Sequence, residues 1–155
     1  MKREKFIEIL SWEHHDGLVI ALRLERGLEK GADINSMKDY ILNKWDTLLK
    51  DHFTSEELNL VQAIQYEEPD SEPIEQMLSE HTAMTALVEN IKNNNSQELI
   101  KEFYMALRNH IKFEENTLFP YVESTLDKAL KERIQQCLSI NYTKADKDWP
   151  VKFWE

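Results

Sequence analysis

Asp51 to Leu60 reads DHFTSEELNL, and Arg108 to Pro120 reads RNHIKFEENTLFP. Aligning His52 with His110 also aligns Glu56 with Glu114, Glu57 with Glu115 and Leu60 with Leu118. Both stretches therefore contain His-x-x-x-Glu-Glu followed by an apolar residue. Four residues of α-helix advance about 400° and ~6 Å, which puts each His and its first Glu on one face. One imidazole and one carboxylate, twice over, make half of a metal site.

The other half lies upstream of each copy. Glu13-His14-His15 precedes the first and Glu80-His81 precedes the second. Matching the Glu-His dipeptides makes His14 and His81 equivalent, and the chain becomes a weak internal duplication. His14 is followed by His52 and Glu56, and His81 by His110 and Glu114; of the five histidines only His15 falls outside the scheme. His15 sits about 100° round the helix from His14. It could replace His14 as a ligand, support one, or face water; the repeated Glu-His register favours His14. Glu57 and Glu115 are rotated off the stripe and read as solvated surface or as partners behind a ligand imidazole.

The neighbours of these residues are apolar at helical spacing. Met77, Leu78, Met84 and Val88 flank His81, while Leu10, Leu18 and Ala21 flank His14. Leu48 and Leu49 precede His52, and Leu107 precedes His110. Imidazoles and carboxylates on core-facing stripes need partners, because an unpaired buried charge costs several kcal/mol. Alone, either half-pattern fits a hydrogen-bonded core histidine or a surface pair. Two copies, each preceded by Glu-His, favour bound cations instead. Four imidazoles with two carboxylates suit Fe, Mn or Zn and suit Mg or Ca poorly.

Composition sets the frame. The 155 residues fit one domain with a real core. Only three Gly and four Pro leave long uninterrupted stretches, which favours an all-helical chain. A net charge of -10 argues against nucleic-acid or anionic-membrane partners and suits attraction of cations. Cys137 alone excludes an internal disulfide framework. The basic N-terminus lacks an apolar core, so no signal peptide is expected, and no apolar run nears the ~20 residues of a membrane span. A soluble, cytoplasmic protein is the expectation. No nucleophile pattern or phosphate-binding glycine loop is present.

Apolar periodicity predicts four long helices. The first covers Lys2 to Glu29, with Phe6, Leu10, Leu18, Ala21, Leu22 and Leu28 as its stripe, and stops at Gly31. The second starts near Ser36, whose spacing to Asp39 resembles a capping box, and runs to about Tyr66. Residues 67–73 form a loop with two prolines. The third helix begins near Ile74 and breaks at Asn93-Asn-Asn-Ser96. Asn95 caps the fourth, which Pro120 kinks or ends. Short connections predict an all-α, up-down-up-down four-helix bundle over residues 1–125. Residues 126–155 supply a short C-terminal helix, Leu126 to Ile140, and an aromatic tail with Trp149, Phe153 and Trp154. So much apolar surface implies packing across the bundle, or against a second copy or another partner.

These motifs, with Leu118-Phe119-Pro120, resemble the hemerythrin-like family, the His-His-Glu cation-binding domains, over residues 1 to about 125. The resemblance implies a left-turning four-helix bundle holding two Fe ions. His14, His52, His81 and His110 would be terminal ligands. Glu56 and Glu114 would bridge the ions, and an oxo or hydroxo group would complete the centre. Oxygen-carrying members have a second His four residues after the helix-three His, where this chain has Thr85. Their fourth-helix carboxylate is an Asp at a longer spacing. The chain thus resembles the His-His-Glu branch, with more open coordination. Reversible oxygen carriage becomes doubtful, and binding of a diatomic ligand or peroxide is implied. The functions to weigh are a di-iron protein that senses or handles iron, O2, peroxide or NO, an oxidoreductase acting on peroxide or NO, and an interaction bundle with a vestigial site.

Overall fold

The computed structural model describes residues 2–141 and 149–155. They form five helices and, among the described residues, no strand. After a 3-10 turn at Lys5–Ile7, α1 spans Glu8–Glu29. Helix α2 runs continuously over residues 34–67, α3 over Glu72–Asn93, α4 over residues 97–125 and α5 over Lys128–Asn141.

The helix starts are set by side chains that satisfy otherwise unpaired backbone N–H groups. Asp33 caps α2, accepting from the Ser36 N–H at 2.9 Å, so α2 begins at Ile34, ahead of the expected Ser36. Ser71 caps α3, accepting from the Ile74 N–H at 3.4 Å. Pro73 therefore lies in the first turn of α3, where its missing N–H costs nothing. Ser96, rather than Asn95, caps α4 through the Leu99 N–H at 3.2 Å. Gly31 ends α1 with a φ of 69°, as its freedom at positive φ allows.

Helices α2 and α4 contain π-helical segments at Trp45–Leu49, Glu57–Val61 and Glu114–Leu118. Both His-x-x-x-Glu-Glu stretches thus run into a π turn, which fits an extra residue without breaking the helix. The turn at Glu114–Leu118 also precedes Pro120, whose missing N–H leaves a carbonyl one turn back unpaired. Hydrogen bonding is already shifted there, and α4 continues through Pro120 to Thr125.

The bundle is antiparallel, closed by packing of α1 on α4. Its core falls into two apolar clusters. One gathers Ile20, Leu24, Tyr40, Phe53, Met84, Val88, Phe103 and Leu107; the other gathers Phe6, Leu10, Leu60, Ile74, Met77, Leu118, Ile134 and Leu138. Along α1 the buried residues are Leu10, His14, Gly17, Ile20, Ala21, Leu24 and Gly27. Leu18 and Leu22, expected inside, are 42% and 39% exposed. Helix α5 closes the second cluster through Ile134 and Leu138. Residues 142–148 of the expected tail lie outside the described residues. Beyond them Trp149, Phe153 and Trp154 pack on Tyr40 of the first cluster, with ring centroids at 5.5, 5.2 and 5.8 Å. The Arg23 guanidinium lies 4.1 Å from the Trp154 ring.

Gly27 gives Phe153 its room: a Cβ there would meet Phe153 Cδ1 at 2.7 Å and Met37 Sδ at 2.9 Å. Gly27→Val is expected to displace Phe153 and cost about 1–3 kcal/mol, as overpacking does. Chemical denaturation measures the loss, and tryptophan emission should shift to the red. A variant as stable as the parent, with unshifted emission, contradicts the packing.

Candidate metal centre

On each long helix the polar core residues lie between the two apolar clusters. His14 falls between Leu10 and Ile20, His52 and Glu56 between Leu49 and Leu60, His81 between Met77 and Met84, and His110 and Glu114 between Leu107 and Leu118. Glu56 and Glu114 are 0% exposed, and the four imidazoles are also buried. Because the helices alternate in direction, these residues form one polar layer.

The layer resolves into two overlapping groups. His14, His52, Glu56 and Glu114 bring one ligand atom each within 4.8 Å of one another, and so do His81, His110, Glu56 and Glu114. Both carboxylates belong to both groups. His14 Nε2 lies 2.7 Å from Glu114 Oε1 and 3.9 Å from Glu56 Oε2. His52 Nε2 lies 3.4 Å from Glu56 Oε1 and 3.9 Å from Glu114 Oε1. His81 Nε2 lies 3.1 Å from Glu56 Oε1, and His110 Nε2 lies 3.3 Å from Glu114 Oε2. All four Nε2 atoms therefore face inward. Phe119 stacks on His14 at 5.1 Å and Phe53 on His81 at 4.1 Å, holding two rings by their faces.

Whether this layer fits a cation is tested by its unmatched atoms. His52 Nε2, Glu56 Oε2 and Glu114 Oε2 are buried without a hydrogen-bond partner. His81 Nε2 and His110 Nε2 face each other at 3.2 Å, where only one can donate. Each unmatched buried group costs ~1–3 kcal/mol. Nitrogen and carboxylate donors converging on shared points suit a borderline transition ion. The residues fit.

Every Nδ1 atom has a carboxylate partner. His14 pairs with Glu115 at 2.6 Å, His52 with Glu13 at 3.0 Å, His81 with Glu57 at 3.1 Å and His110 with Glu80 at 2.7 Å. Glu57 and Glu115 thus stand behind imidazoles, the sharper of the two expectations for them. Glu13 and Glu80 have the same place, which sequence reasoning used only as register marks. Their signal was the Glu-His dipeptide itself. His15 is exposed and belongs to neither group. One residue further round α1 than His14, it lies on the solvent side. Thr85 turns its hydroxyl to the His81 carbonyl, donating at 2.8 Å.

In this protonic form the layer is held by charge. Burial works to lower the His110 pKa, yet the Glu114 charge, with hydrogen bonds to Glu114 and Glu80, raises it to about 10. Burial likewise opposes the protonated forms of His14 and His52, and the carboxylates around them outweigh it. Burial would raise the Glu114 pKa, but the charge of His110 holds it well below the usual range. Glu80 and Glu115 are also lowered: hydrogen bonds from His110 and Gln76, and from His14 and Ser11, overcome their burial.

An antiparallel bundle with a buried layer of imidazoles and shared carboxylates is a cation-binding helical domain. Residues 6–122 match the hemerythrin HHE cation-binding domain, and the chain belongs to that family. Neither the curated proteins nor the solved structures contain a significant match.

The charge pattern predicts how stability of the metal-free protein depends on pH. His110 stabilises the fold fully below its unfolded value near 6.5 and loses that contribution as pH rises towards about 10, and the raised His14 and His52 act in the same direction. The lowered Glu114 contributes above its unfolded value of 4.5 and loses this as pH falls. Calorimetry in the presence of a chelator should find the highest melting temperature between these two unfolded values and a decline from pH 7 to 10. A melting temperature that climbs over that alkaline range contradicts the assignment.

Proposed function

We propose that the protein is a dinuclear non-haem iron protein that senses or handles iron, O2, peroxide or NO. The observation carrying this reading is that two His-His-Glu-Glu groups share both carboxylates. His14 and His52 would hold one ion, and His81 and His110 the other. Glu56 and Glu114 would serve both. Four protein donors per ion leave room for a small exogenous ligand. A bound iron pair supplies one-electron redox chemistry and open coordination positions. The same donors also accommodate Mn or Zn.

The chain's own residues set the conditions. The two apolar clusters on either side keep the layer away from bulk water, and the stacked Phe53 and Phe119 restrain two imidazoles. Thr85 uses its hydroxyl within α3, so the position four residues after His81 adds no ring nitrogen to the layer. That favours an open centre over a saturated oxygen carrier. Among the described residues no helix is long and apolar enough to cross a membrane, and a cytoplasmic setting is part of this proposal.

Anaerobic loading with Fe(II) is expected to give two iron atoms per chain and new near-ultraviolet absorption on exposure to air. Free metal at 100-fold its Kd should stabilise the fold by about 2.7 kcal/mol for each ion bound, or roughly 5–11 °C in melting temperature per ion. Glu56→Ala removes a donor from both groups and should bring the content below one iron per chain. Wild-type protein with less than one iron and no thermal shift would sink the reading.

A further inference from the structure

The carboxylates behind the imidazoles follow an order that the duplication alone does not require. Glu13 of α1 accepts from His52 of α2, and Glu57 of α2 accepts from His81 of α3. Glu80 of α3 accepts from His110 of α4, and Glu115 of α4 returns to His14 of α1. No helix serves its own histidine. Each holds the imidazole of the next, and the ring closes round the bundle.

We propose that Glu13, Glu57, Glu80 and Glu115 are positioning residues, a closed ring that fixes the Nδ1–H form of all four imidazoles and aims their Nε2 atoms at the cation layer. This deepens the dinuclear reading above and rests on it. An ionised carboxylate can only accept, so the ring nitrogen it touches carries the hydrogen. In a neutral imidazole the opposite nitrogen is then left with its lone pair. A carboxylate at the outer nitrogen also makes the inner one a better donor to a cation.

Exposure separates the two kinds of carboxylate. Side chains of the outer four are 16% to 44% exposed, whereas those of Glu56 and Glu114 are 0% exposed. The outer four therefore keep part of their hydration, which the inner pair has lost. Two are braced in turn. Glu115 accepts from Ser11 Oγ at 2.7 Å, and Glu80 accepts from Gln76 Nε2 at 2.8 Å. Since every link joins two helices, packing the bundle orients the cage before a cation arrives, and less ordering remains for binding.

The test uses the full chain loaded with Zn2+, which is diamagnetic, and 15N-histidine NMR. Four slowly exchanging Nδ1–H signals are expected. Glu57→Ala should speed exchange at His81, on the next helix, and leave His52, on its own helix, unchanged. Glu13→Ala should act on His52 and spare His14. Fe(II) affinity, measured anaerobically against a chromophoric chelator, should fall ~10–100-fold in each alanine variant. Glu57→Gln, whose amide oxygen still accepts, should recover part of the loss and guards against an alanine variant that does not fold. Glu25→Ala, at the Arg108 ion pair, is the control and should change neither readout. Unchanged exchange with affinity within twofold of wild type overturns the ring, as does a perturbation confined to the histidine of the same helix. Wild-type protein that takes up neither Zn2+ nor Fe(II) overturns the dinuclear reading first, and the ring with it.

Discussion

Two carboxylates at the centre of a helical bundle, Glu56 and Glu114, have no access to water. Ionised and unpaired, each would cost several kcal/mol, a large fraction of the net stability of a domain this size. The surrounding geometry reduces that cost. Four imidazoles converge on the carboxylates from four helices, and in the metal-free protein raised histidine pKa values let protons carry the compensating charge. Three polar atoms of this layer, His52 Nε2, Glu56 Oε2 and Glu114 Oε2, still lack a hydrogen-bond partner. Protons neutralise the charge but satisfy the donor geometry incompletely, whereas a cation at each group would meet both requirements. Metal binding therefore competes with protons for the same atoms, and folding, protonation and metal binding become one linked equilibrium.

Holding the six inner side chains at one level demands register between helices of opposite direction. Helices α1 and α3 each supply one inner residue, a histidine preceded by an outer carboxylate. Helices α2 and α4 each supply a histidine, an inner glutamate one turn on and an outer glutamate next to it. A regular helix separates adjacent residues by about 100°, so one of each adjacent pair can face the layer while the other reaches sideways to a neighbouring helix. This is why the paired residues Glu13-His14, Glu56-Glu57, Glu80-His81 and Glu114-Glu115 can serve both shells. The π turns after the His-x-x-x-Glu pairs lie where this double demand ends. Beyond them Leu60 and Leu118 return to the core, each 0% exposed.

The duplicated spacing made the bundle and its inner six residues legible, because ligand periodicity and apolar periodicity share one face. What was missed has specific causes. Ser36 and Asn95 were each read as a cap beside or near the residue that performs it. Asp33 and Ser96 offer the same chemistry, and local sequence does not rank neighbouring oxygens. Leu18 and Leu22 were assigned to the α1 stripe by four-residue steps, but the buried face drifts towards Gly17, Ala21 and Leu24 where α4 approaches. At Gly17 a Cβ would meet Ile111 Cδ1 at 2.8 Å. A close approach between helices is a tertiary fact. Glu13 and Glu80 were visible as part of a repeat, yet their role depends on which helix lies alongside. Pro120 reads as a kink or an end because its local effect is weighed without the π turn preceding it.

A polar layer through the middle of a bundle divides its apolar interior into two smaller cores, each with an open end. Small cores bury a lower fraction of their surface and are correspondingly marginal. The C-terminal elements address both ends. Helix α5 covers one cluster with Ile134 and Leu138, and the aromatic residues from Trp149 onward cover the other around Tyr40. Tyr40 is fully buried although its helix lies on the bundle surface, because Phe153 and Trp154 complete its enclosure. Closing both ends also adds apolar cover on either side of the polar layer. At the sides of the layer, between the helices, stand the partly exposed carboxylates of Glu13, Glu57, Glu80 and Glu115.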